Sequence, residues 1–172
     1  MTDPLTGLDN RRALFDQFSY ELARSRRSGN PVSVCVMDLD HFKQINDRYG
    51  HAIGDKVLLM VARVLRDCLR ETDRIGRIGG EEFMLLMPET DQQGAAKGIE
   101  RCRQRLCGTP VVVEGEAPFH VSASFGVTCS GTGDTLGEEQ LFTRADQALY
   151  QAKEAGRNRM AFWSLSQEAV PA

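Results

Sequence analysis

Between Pro31 and Asp38 the chain reads Val-Ser-Val-Cys-Val-Met, a short β-rich apolar run that stops at an acidic pair, Asp38 and Asp40. A run of this kind, bounded by proline and polar residues, is a buried strand, and it delivers two carboxylates to its end. Any fold for this chain has to cover that strand and accommodate those charges.

The flanking segments supply the cover. Leu14, Phe18 and Leu22 recur at helical spacing after Asp9-Asn10, and Gly29-Asn30-Pro31 ends that helix. A short helix is expected from Phe42 to Arg48, and a longer one after Gly54-Asp55 with Val57, Leu58, Val61, Leu65 and Leu69 on one side. Arg74 to Ile78 and Phe83 to Met87 read as two strands joined by a tight hairpin at Gly79-Gly80. Thr90 with Gln93 resembles a capping box opening a helix that ends near Gly108. Val111 to Val113 is an expected edge strand. His120 to Cys129 alternates as a strand, with Val121, Ala123, Phe125 and Val127 inward against Ser122, Ser124 and Thr128. A last helix from about Glu138 to Ala155 and a last strand from Arg159 to Trp163 complete the pattern. This order predicts an α+β domain with a mainly antiparallel central sheet surrounded by helices. Residues 1–163 form that domain, and 164–172 read as a C-terminal tail.

A length of 172 residues and a hydrophobic content of 41% fit one compact domain. The net charge of −3 argues against a broad basic surface for nucleic acid, while leaving room for a small phosphate site. The five cysteines, Cys35, Cys68, Cys102, Cys107 and Cys129, contain no CxxC pair and fall largely in apolar patterns. They are expected to be reduced thiols in a cytoplasmic protein. No apolar run approaches the ~20 residues of a membrane span.

If the strand ending at Asp38 neighbours the one that follows Glu81-Glu82, three carboxylates converge. Such a cluster raises its own pKa values unless a cation neutralises it, and oxygen ligands of this kind suit Mg²⁺. Gly79 and Gly80 would let backbone N–H groups approach a phosphate. Spacing alone equally allows Asp38 and Asp40 to cap a helix and Glu81-Glu82 to form a solvated turn.

Five ordered motifs go further. They are Asp3-Pro-Leu-Thr-Gly-Leu-Asp-Asn-Arg11, Asp38-Leu-Asp-His-Phe-Lys43, Asn46-Asp-Arg-Tyr-Gly-His-Ala-Ile-Gly-Asp55, Gly79-Gly-Glu-Glu-Phe83, and Ala145-Asp-Gln-Ala-Leu-Tyr-Gln-Ala-Lys-Glu-Ala-Gly-Arg-Asn158. Together they resemble the GGDEF domains, the diguanylate cyclases, in the GGEEF form of their signature. The resemblance implies a fold similar to the polymerase palm and the class III nucleotidyl cyclases. It implies an enzyme that condenses two GTP into cyclic di-GMP on Mg²⁺, with Mn²⁺ as an alternative. Asp38, the Leu39 carbonyl, Glu81 and Glu82 would then hold metal. Glu81 and Lys43 would serve the chemistry. Asn46 and Asp55 would read guanine, with Phe42, His51, Gly79 and Gly80 around the nucleotide and Lys153 and Arg157 on its triphosphate. Arg70 and Asp73, with Arg101, match an inhibitory product site. The bland counterparts are a surface ion pair for Arg70–Asp73, solvated helix positions for Lys153 and Arg157, and a turn residue for His51.

The resemblance also implies a transient homodimer with one GTP per domain and an upstream sensory or regulatory domain. Rival readings are a receptor that binds GTP or cyclic di-GMP without turnover, a cyclase of altered base choice, and a plain interaction domain. The retained Asp38, Glu81 and Glu82 weigh against the first and Asp55 against the second.

Overall fold

The computed structural model describes residues 1–131 and 133–165. Its elements run β1 (Asp9–Asn10), α1 (Arg11–Ser28), β2 (Val32–Leu39), α2 (Phe42–Tyr49), α3 (His51–Cys68), β3 (Arg74–Arg77), β4 (Glu82–Pro88), α4 (Gln92–Gly108), β5 (Ala123–Ser130), α5 (Glu138–Glu154) and β6 (Met160–Phe162). The strands form one six-stranded sheet in the order β1-β3-β4-β2-β5-β6. Its centre is antiparallel, and the two outer pairs, β1 with β3 and β5 with β6, are parallel. The sheet is therefore mixed, within the α+β class expected.

Strand β2 lies at the centre because both of its faces are apolar. Cys35, Met37 and Leu39 point into a core shared with α3 and α4, beside Phe83, Leu85 and Met87 of β4. Val32, Val34 and Val36 point the other way, into a core with α1 and α5 beside Met84 and Leu86. A strand covered on both faces loses the in–out polar alternation and reads as a continuous apolar run. The same parity sends Asp38 and Glu82 to the α5 side, since side chains two residues apart share a face.

Several boundaries differ from the sequence reading. Helix α3 begins at His51, so Gly54 is its buried fourth residue and not a break before it. Helix α4 is capped by Asp91, whose carboxylate accepts from the Gly94 N–H, and not by Thr90. The Thr90 hydroxyl instead donates to the Pro88 carbonyl and meets Arg70. Val111 to Val113 forms no named strand; Val111 makes an isolated bridge to Phe119. The tail expected at 164–172 falls, beyond Leu165, outside the described residues. Among the described residues no helix is long and apolar enough to cross a membrane.

On β5, Ser124 and Thr128 do not face solvent but lie buried under α5. The helix comes so close at Gly126 that an added Cβ would overlap the Ala145 carbonyl and the Leu149 backbone. Backbone cannot rotate aside as a side chain can, so the glycine sets the height of α5 above the sheet. Gly126→Ala is therefore expected to lower unfolding free energy by about 2 kcal/mol or more, measured as a shift in urea midpoint.

Candidate active site

Asp38 sits opposite Glu82 on one neighbour and Ser124 on the other, close to the end of β2. The adjacent Leu39 N–H donates to the Glu81 carbonyl at 3.2 Å, locking the start of β4 beside the end of β2. Neighbouring strands thus bring Glu81 against Asp38, with Glu82 near enough for the charges to act on one another. Burial raises the Glu81 carboxyl from its ordinary 4.5 to about 7, helped by its hydrogen bond to Asp38 and the charges of Asp38 and Glu82. Glu82 is raised too, by burial first and then by Asp38 and Asp146. Lys153 opposes both shifts, with its Nζ 2.9 Å from Asp38 Oδ2.

One ammonium facing three carboxylates leaves negative charge unmatched, and a divalent cation fits that deficit. Among the described residues no three His, Cys, Asp or Glu side chains close around a single point as a full metal cage would. That donor set fits Mg²⁺, which takes one or two carboxylates and completes its octahedron with water and phosphate oxygens.

Beside the acids opens a cavity of about 470 Å³ lined by Phe42, Lys43, Asn46, His51, Asp55, Leu58, Arg77, Gly80 and Glu81. It forms where α2 turns into α3 at Gly50, whose φ of 89° a side chain would disfavour. Asn46 lines it, with its Oδ1 buried against Gly54 and without a hydrogen-bond partner. Gly54 makes room for that amide, because a Cβ there would overlap it. A buried acceptor without a donor is costly, so the close fit of Asn46 on Gly54 is held by the surrounding packing. The structure thus brings Lys43, Asn46, His51, Asp55, Phe42, Gly80 and Glu81 to one cavity. The Gly79 N–H is already directed at the Glu82 carbonyl at 3.3 Å, so the hairpin uses that donor itself.

Arg77 escaped the sequence reading, and Asp40 has a different place from the one it was given there. Arg77 lines the cavity and clamps the hairpin, donating to the Gly80 carbonyl at 3.1 and 2.8 Å and to Asp3 at 3.2 Å. Its position three residues before Gly80 was the available signal. Asp40 lies buried among Ser122, Ser124 and the Asn158 amide, and caps no helix. Asn10 and Arg11 do fix the N-terminal segment: Asn10 caps α1, and Arg11 lies over Phe15 and Phe142.

At the other end of α3, Arg70, Asp73 and Arg101 line a second cavity of about 410 Å³. Arg70 Nη2 lies 3.1 Å from Asp73 Oδ1 and also donates to the Pro88 carbonyl. Arg101 is anchored on the Cys68 carbonyl at 2.7 Å. Helix α3, about 27 Å long, runs from the first cavity toward the second.

A family model for the diguanylate cyclase GGDEF domain matches residues 1–159. The chain belongs to the GGDEF family. This GGDEF domain is 47% identical over 160 residues to the diguanylate cyclase DgcP of Pseudomonas aeruginosa, covering 93% of the chain and 23% of that protein. It is 44% identical over 160 residues to the response regulator PleD of Caulobacter vibrioides, covering 92% and 35% respectively. The crystal structure of the GGDEF domain of DgcB from Caulobacter crescentus, in complex with c-di-GMP, matches with a TM-score of 0.88 at 31% identity, over 94% of this chain and 92% of that one. The chain thus spans 23% and 35% of the length of those two curated relatives.

The raised Glu81 makes a stability prediction for the metal-free GGDEF domain. Its folded form holds a proton between 4.5 and about 7 that the unfolded chain releases, so stability falls as pH rises through that window. In chelator, denaturation midpoints are expected to drop from pH 5 to pH 7 more in the wild type than in Glu81→Gln.

Proposed function

We propose that residues 1–163 form the catalytic domain of a diguanylate cyclase, which converts two GTP into cyclic di-GMP and two pyrophosphates. The observation that carries the reading is a single cavity that holds Asn46 and Asp55 together and adjoins the Asp38–Glu81 pair. Guanine offers N1–H and an exocyclic amine together, a donor pair that adenine lacks; the Asp55 carboxylate is suited to accept both, and the Asn46 amide to pair with the remaining edge. The match to a domain crystallised with c-di-GMP and the 47% identity to a diguanylate cyclase support the same assignment.

Asp38, Glu81, Glu82 and the Leu39 carbonyl would hold Mg²⁺ or Mn²⁺. When bound, the ion polarises phosphate oxygens and offsets charge on the departing pyrophosphate. The protein's own groups do the rest. His51 and Phe42 border the base, Gly80, with open space where a Cβ would stand, gives the phosphates a close approach, and Lys43, Lys153 and Arg157 meet the triphosphate. Each 3′-hydroxyl oxygen bonds to the α-phosphorus of the other GTP as the bond to pyrophosphate breaks, and Glu81 accepts the hydroxyl proton. Two such steps close the ring. One GTP per domain requires two domains related by a two-fold axis, so that each nucleotide is both attacker and target.

Incubation with GTP and Mg²⁺ followed by chromatography tests the assignment. Cyclic di-GMP is expected, at a rate per domain that rises with protein concentration, and Glu81→Ala reduces it to background. No cyclic product at any protein concentration would instead mark a nucleotide receptor.

For the second cavity we propose product feedback. Arg70 reaches guanine O6 and N7 bidentately, Asp73 accepts from the base's other edge, and Arg101 adds a cation. Calorimetry of Arg70→Ala is expected to show loss of tight cyclic di-GMP binding, about 10-fold or more, with metal binding at Asp38 intact. Unchanged affinity would refute the site.

A further inference from the structure

The chain reverses direction after α5 through an uncommon backbone. Gly156, Arg157 and Asn158 have φ of 124°, 62° and 46°, so two successive residues with side chains occupy the left-handed region. Such conformations persist only where the surroundings over-determine them. Besides the Arg159 Nε bond to the Arg157 carbonyl at 3.0 Å, four attachments matter here. The Arg157 N–H returns to the Ala152 carbonyl at 3.1 Å, and the Gly156 N–H to the Lys153 carbonyl at 3.2 Å. Arg103 Nη1 donates to Asn158 Oδ1 at 2.9 Å. The fourth comes from outside the helical layer: the Asn158 N–H donates to Asp40 Oδ2 at 3.0 Å.

Asp40 is only 6% exposed, and its carboxylate is surrounded by donors. Ser122 Oγ donates to Oδ2 at 2.6 Å and Ser124 Oγ to Oδ1 at 2.7 Å, while the Asp40 N–H bonds the Ser122 carbonyl at 2.9 Å. Three donors on two oxygens suit a carboxylate; an amide in its place would turn an NH₂ toward one of them. None of the ion pairs found among the described residues includes Asp40.

We propose that Asp40 is a positioning residue: its buried carboxylate, fixed by Ser122 and Ser124, grips the Asn158 amide and holds the left-handed turn that presents Arg157 to the triphosphate of GTP. The proposal rests on the cyclase reading above, in which Arg157 meets that triphosphate. It assigns different work to the two acids at the end of β2. Asp38 faces the cation and Lys153, whereas Asp40 shapes the backbone that carries the phosphate-binding arginine.

The test compares binding of 3′-deoxy-GTP, which lacks the attacking hydroxyl, with binding of GMP, both by calorimetry in Mg²⁺. In Asp40→Asn the affinity for 3′-deoxy-GTP is expected to fall about 10- to 100-fold, with GMP affinity little changed. Arg157→Ala is expected to lose the same increment, and adding Asp40→Asn to it should cost nothing more, because the two act in series. Equal losses for both nucleotides, full additivity with Arg157→Ala, or no loss at all would overturn the proposal. If Asp40→Asn does not fold, the milder Ser122→Ala, Ser124→Ala double variant reads the same increment, and an unchanged value again overturns it. A wild-type domain that fails to bind 3′-deoxy-GTP takes the cyclase reading down as well. An Arg157→Ala variant with undiminished binding removes the premise that this arginine meets the phosphates.

Discussion

Mutual repulsion among Asp38, Glu81 and Glu82 governs the site, because two hydrogen-bonded strands hold the three carboxylates together whether or not a cation is present. Backbone pairing between β2 and β4 continues right up to Asp38 and Glu82, so the acids cannot separate without breaking the centre of the sheet. The ladder stores the conflict that Lys153 relieves in part and a divalent cation relieves further.

Around the acids, the structure divides labour by helix ends. The N-terminal end of α3 and the turn before it build the cavity lined by Asn46 and Asp55. The C-terminal end of α3 leads into the Arg70–Asp73 cavity. Helix α5 is lowered onto β5 at Gly126, and its C-terminal turn brings Lys153 to Asp38 and Arg157 next to the Asp40-bound amide. A shared core of α3, α4 and the sheet connects the regions rigidly.

Most of this was legible residue by residue. Val32 to Met37 announced a doubly covered strand, and the Gly79-Gly80 pair announced the return to β4. The motifs at 38–43, 46–55, 79–83 and 145–158 placed the cavity-lining residues on their elements. What stayed illegible had specific causes. Gly54 looked like the break before a helix, yet it is a helical residue whose missing Cβ accommodates Asn46 from a neighbouring helix. Thr90 looked like a cap, yet Asp91 takes that place, since a one-residue shift is invisible in a run of capping residues. Ser122, Ser124 and Thr128 looked like a solvent face because alternation reports a change of face, and not what covers it.

The sequence alone determined the family, the α+β class and which side chains would carry charge at strand and helix ends, because periodicity, glycines and ordered motifs are local properties of the chain. Only the tertiary structure decided that β2 and β4 are neighbours, that Lys153 reaches Asp38, and that Asp40 serves a turn 118 residues away. Those are pairings between distant segments, chosen by how two apolar faces of one strand are buried. No local pattern encodes the partner of a buried carboxylate; it is set by which backbone the fold brings alongside.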